Sequence, residues 1–100
     1  MTLAMQILIV EDNPHDFLLL KENIMATDEF SATVHHAERL QESFILMAEN
    51  SVDLVILDLN LPDSDGLATF SVFHNKYPTT PAVIYSGQKD HQLALQAIKG

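Results

Sequence analysis

Residues 52–67 read VDLVILDLNLPDSDGL. The first part, Val52-Asp53-Leu54-Val55-Ile56-Leu57-Asp58, is the most β-like segment of the chain and is expected to form a central strand. Leu59 to Asp65 is expected to be a loop, with Pro62 and Gly66 as punctuation. Asp58 thus stands at the end of an otherwise apolar strand. A partly buried carboxylate is costly unless it is paired.

Downstream, Leu67, Phe70 and Phe73 or His74 recur at helical spacing and mark a helix that ends before Tyr77-Pro78. Pro81 to Ser86 reads as another strand, stopped by Gly87. Gln88 to Lys99 reads as a fourth helix, with Gly100 as its C-terminal cap residue. Upstream, Met5-Gln6-Ile7-Leu8-Ile9-Val10 is a short apolar run ending in Glu11-Asp12, which suits a strand buried on both faces. Asp12 or Asn13 is the expected N-cap of the helix that follows, with Pro14 in its first turn. That helix is expected to fade near Thr27-Asp28. Ser31 to Ala37 is a more polar strand, as expected of an edge, and Glu38 to Glu49 a helix with Leu40, Phe44, Met47 and Ala48 on one face. Strand and helix therefore alternate four times. This order predicts right-handed βαβ units, a parallel sheet and helices on both of its faces. Neither a linker nor a repeat divides the 100 residues, so one domain is expected over 1–100.

The formal net charge is −9, from 14 acidic and 5 basic side chains. Such a segment is not expected to grip nucleic acid or an anionic membrane by itself. The chain contains no cysteine, which excludes a disulfide framework and a thiolate zinc site. No apolar run approaches the ~20 residues of a membrane span, and the start has no basic region ahead of an apolar one. A cytoplasmic location is the expectation.

Glu11 and Asp12 follow the first strand, and Asp58 ends the third. In an open parallel sheet, ligands bind beyond the carboxyl ends of the strands, where the strand order reverses. If strands one and three are neighbours, the three acids converge. Each would raise the others' pKa, and a hard divalent cation with oxygen ligands resolves the conflict. The plainer reading is that strand ends are often polar and that Asp12 merely caps a helix. Ser86 is a small hydroxyl at the end of the fourth strand, placed to serve a phosphoryl oxygen on Asp58 or simply to cap a turn.

These residues resemble the receiver domain of bacterial two-component response regulators. The resemblance rests on ILIVEDNPHD (7–16), VDLVILDLNLPDSDGL (52–67), PAVIYSG (81–87) and ALQAIKG (94–100), in that order and spacing. It implies a doubly wound, flavodoxin-like three-layer α/β sandwich with strand order 2-1-3-4. Asp58 would be the phosphoacceptor, taking its phosphoryl group from a sensor histidine kinase or a phosphotransfer protein. Glu11, Asp12, Asp58 and the backbone carbonyl of Asn60 would hold Mg²⁺. Ser86 would be the switch hydroxyl, and Gln88 would tune the lifetime of the acyl phosphate. The resemblance implies a signalling domain rather than an enzyme, apart from self-catalysed phosphoryl transfer and dephosphorylation. An effector domain could follow.

The family also has a fifth strand bearing a lysine, and a fifth helix. This chain ends at Gly100, where that strand would begin, and Lys99 belongs to the fourth helix. The expectation is a truncated receiver with impaired phosphorylation, associating as a dimer or oligomer through the uncovered fourth strand. The alternative is a receiver-like interaction domain that works without phosphorylation. An aspartate-nucleophile phosphatase fits less well, since Glu11-Asp12-Asn13 stands where those enzymes carry D-x-D. His35 and His36 are expected to be solvated, as are Asp63 and Asp65, with Asp65 a possible cap of the third helix. Phe17, Phe44, Phe70 and Phe73 are expected in the core.

Overall fold

A computed structural model describes residues 3–85. Its first strand, β1 (Leu3–Val10), leads to helix α1 (Pro14–Met25), strand β2 (Phe30–Ala37) and helix α2 (Leu40–Glu49). Strand β3 (Leu54–Asp58) is followed by helix α3 (Leu67–Lys76) and strand β4 (Ala82–Tyr85). The fourth helix read from Gln88 onward lies outside the described residues, as do Ser86 and Gln88 themselves.

The four strands form one sheet in the order β2-β1-β3-β4, and every pairing is parallel. Chain order reverses between β1 and β3, so a crevice opens beyond their C-terminal ends. The central strands are aliphatic because both of their faces are covered: Ile7 to Val10 and Val55 to Leu57 are fully buried. On one face Ile7, Ile9, Leu54 and Ile56 pack with Leu20 and Ile24 of α1. On the other, Leu8, Val10, Val55 and Leu57 pack with Leu40 of α2 and Phe73 of α3. The result is the flavodoxin-like three-layer arrangement.

The helices begin as their sequences allow. Asn13 is the N-cap of α1, its Oδ1 accepting from the backbone N–H of His15 at 2.9 Å and of Asp16 at 3.2 Å. Gly66 precedes α3 with φ 68° and ψ −157°, a backbone region that only glycine enters readily. Glycine rather than Asp65 therefore occupies the cap. Between β3 and α3, Asn60–Leu61 pairs antiparallel with Ser64–Asp65, a small ribbon where a loop is expected. Thr69, fully buried on α3, donates its hydroxyl to the carbonyl of Leu59 at 3.0 Å. Since that hydroxyl proton is committed, Ser64 Oγ donates to Thr69 Oγ1 at 2.8 Å.

Several local expectations need correction. Leu67 is 70% exposed and points away from the core, which α3 reaches through Thr69 and Phe73. Ala48 is exposed, while Ser43 is buried with its hydroxyl bonded to the Leu40 carbonyl. His35 and His36 are half-buried, not solvated. Asp63 and Asp65 are exposed as expected, and Asp63 also caps another helix, as described below. Of the four phenylalanines expected inside, Phe73 is fully buried and Phe17, Phe44 and Phe70 are half-buried.

Candidate acidic metal and phosphoacceptor site

Strand register brings the acids together. Val10 pairs with Leu57, so the next residues on the two strands, Glu11 and Asp58, leave the sheet side by side. Glu11 continues the ladder to β2, its N–H donating to the Ala37 carbonyl at 2.9 Å. Asp12 is the next residue and is exposed. Because Asn13 supplies the helix cap, Asp12 is not committed to that task. Glu11, Asp12 and Asp58 each present a carboxylate oxygen within 4.8 Å of the others. Glu11 is 2% exposed and Asp58 6%.

Burial sets the electrostatics. It pushes the Glu11 carboxyl up to about 7, against the opposing pull of hydrogen bonds from the Asn13 N–H and the Tyr85 hydroxyl. The charge of Asp58 adds to the rise. Burial also raises Asp58, while the Asn60 N–H, 3.0 Å from Oδ1, favours its charged form. The two carboxyls act on each other directly, and the presence of Asp58 works against ionisation of Glu11. The site therefore gathers negative charge. Its donors are hard carboxylate oxygens, with neither sulfur nor imidazole among them. That set fits a small divalent cation such as Mg²⁺, whose charge would offset the repulsion among the acids.

The surroundings hold the acids in place. Glu11 Oε1 accepts from Tyr85 OH at 2.7 Å and Oε2 from the Asn13 N–H at 3.0 Å. His36 Nε2 lies 2.8 Å from the Glu11 carbonyl. A carbonyl only accepts, so Nε2 carries the proton. The His36 ring stacks on Phe17 with centroids 3.6 Å apart and planes 7° from parallel. His35 sits on the other side of β2, with Nε2 2.7 Å from Gln6 Oε1. Asn60, two residues past Asp58, is tied to it through its own N–H rather than its side chain.

A family model described as the response regulator receiver domain matches residues 7–100. This chain belongs to that family. Among curated relatives, the receiver is 37% identical over 97 residues to the glycerol metabolism activator of Pseudomonas putida, covering 93% of this chain and 42% of that protein. It is 34% identical over 95 residues to a putative NtrX-like response regulator of Rickettsia bellii, covering 93% of this chain and 19% of that one. The chain spans less than half the length of these curated relatives. Among solved structures, the signal receiver domain of an HD domain-containing protein from Pseudomonas fluorescens Pf-5 aligns with TM-score 0.72 and 28% identity, over 98% of this chain and 70% of that one. The non-phosphorylated HemR receiver domain from Leptospira biflexa aligns with TM-score 0.66 and 30% identity, over 95% and 74%. The receiver's expected acids, Glu11, Asp12 and Asp58, are brought together. The receiver's Ser86 and Gln88 lie outside the described residues. Tyr85 and His36 join the receiver site unannounced by sequence. Tyr85 reads as one more apolar strand residue, and only its register opposite Asp58 places its hydroxyl among the acids.

Proposed function

We propose that Asp58 accepts a phosphoryl group from a phosphohistidine on a sensor histidine kinase or phosphotransfer protein. An oxygen of Asp58 forms the new P–O bond as the P–N bond breaks, and the departing imidazole nitrogen keeps the electron pair. Glu11, Asp12, Asp58 and the Asn60 carbonyl would hold Mg²⁺, which neutralises charge on the phosphoryl oxygens when bound. A carboxylate is a weak nucleophile, so holding Asp58 in line matters most. Burial at the end of β3 and the Asn60 N–H donating to Oδ1 support that placement. Ser86 would follow the new charge as the switch hydroxyl, and Gln88 would set how long the acyl phosphate lasts. An effector domain or partner would read the result.

The observation that carries this reading is the convergence of three carboxylates, two of them buried, at the C-terminal ends of adjacent parallel strands. The test is phosphoryl transfer from a phosphohistidine donor, followed by intact mass. The expected result is the addition of one phosphoryl group that requires Mg²⁺ and disappears in Asp58→Asn. Equal phosphorylation of Asp58→Asn would defeat the assignment.

A further inference from the structure

The acidic site contains a phenol whose part the phosphoacceptor reading leaves unassigned. Tyr85 ends β4, pairs in register with Asp58 and is 2% exposed. Its ring belongs to the core cluster that includes Ile7, Ile9 and Ile56. Its hydroxyl reaches out of that cluster and donates to Glu11 Oε1 at 2.7 Å. From the opposite flank, the Asn13 N–H donates to Oε2 at 3.0 Å. Each oxygen of Glu11 is thus held by a donor from a different part of the chain. Two such anchors fix both the position and the plane of the carboxylate.

A carboxylate oxygen has about two acceptor sites, so these bonds leave each oxygen able to face a cation or its water. A ligand already ordered by its neighbours does not have to be immobilised when the ion arrives. Groups that orient a ligand in this way commonly affect metal affinity without touching the metal. We propose that Tyr85 is a positioning residue of the metal site, its hydroxyl holding the Glu11 carboxylate where Glu11, Asp12 and Asp58 share one divalent cation. This inference rests on the reading of those acids as a cation site.

The competing account is that the hydroxyl bonds to Glu11 only because a buried phenol needs a partner. Mg²⁺ affinity separates the two. Calorimetric titration belongs at about pH 8.5, above the Glu11 range near 7, so that both proteins present ionised acids. Tyr85→Phe keeps the ring and its packing. The expected result is a folded variant by circular dichroism whose Mg²⁺ affinity falls roughly tenfold, the low end for loss of an orienting group. Unchanged affinity in the folded variant overturns the proposal. Wild-type protein that binds no Mg²⁺ sinks the cation site itself, and this inference with it. A measurement on the unaltered protein covers a variant that fails to fold. The chain has two tyrosines, and with ¹³Cζ-labelled tyrosine Mg²⁺ should move the Tyr85 resonance and leave Tyr77 in place. A Tyr85 resonance that stays fixed at saturating Mg²⁺ overturns the proposal as well.

Discussion

Glu11 and Asp58 are buried acids whose carboxyls burial raises, and this couples stability to pH. Burial holds the Glu11 carboxyl at about 7 against an ordinary 4.5. Between those values the folded chain binds more protons than the unfolded one, so stability falls as pH rises. Asp58, also raised by burial, acts in the same direction. Without Mg²⁺, the unfolding free energy from denaturant titration should therefore drop between about pH 4.5 and 7, by a few kcal/mol at most at ~1.4 kcal/mol per pKa unit. Glu11→Gln should flatten most of that slope. Above about pH 7.5, Asp58→Asn should stabilise the metal-free protein by roughly 1 kcal/mol, because it removes a buried charge facing another. The three acids were legible in the sequence because an acid ending an apolar strand stands out. Tyr85 and His36 were not, since a tyrosine inside a strand and a histidine on an edge strand look ordinary until register shows what they face.

At the scale of elements, the segment between β3 and α3 is bound to a helix far from it in sequence. Arg39 occupies the N-cap of α2 and makes no side-chain cap bond. Asp63 takes that role, its carboxylate accepting from the N–H of Leu40 at 2.8 Å and of Gln41 at 3.0 Å. Burial works against its charge, but the Gln41 and Leu40 N–H groups prevail and hold its carboxyl below the ordinary value. A carboxyl lowered on folding contributes stability above its unfolded pKa, and this is lost as pH falls through the folded value. Asp63→Ala should cost about 1 kcal/mol in denaturant unfolding, the usual cost of losing an N-cap. It should also loosen the ribbon after Asp58, seen as faster amide exchange at Leu61 and Ser64. Among the described residues, sequence placed the main helices and strands to within a few residues because their apolar spacing is local. It missed the cap that Asp63 supplies because the bonds span 22 and 23 residues, and local pattern carries no sign of them.

For the whole molecule, alternating strands and helices determined a parallel sheet with helices on both faces, and the structure has that form. Strand order 2-1-3-4 came from family resemblance, because apolar runs alone do not say which strands are neighbours. The two-sided core makes Phe73 a sensitive point. It is fully buried, with ring centroids 6.2 Å from Phe44 and 5.6 Å from Tyr77. Phe73→Ala should cost about 3–5 kcal/mol in denaturant unfolding. Mg²⁺ should act in the opposite sense, raising the thermal midpoint, with a gain of ~2.7 kcal/mol at a hundredfold excess over its dissociation constant. That gain should vanish in Glu11→Gln. The proposed role of Asp58 is that of phosphoacceptor at the end of β3. Its most direct test is to phosphorylate the protein from a phosphohistidine donor with Mg²⁺, trap the acyl phosphate by borohydride reduction and map the reduced residue by peptide mass. The account predicts reduction at residue 58 alone; a reduced residue elsewhere, or phosphate on a serine or threonine with Asp58 untouched, would contradict it.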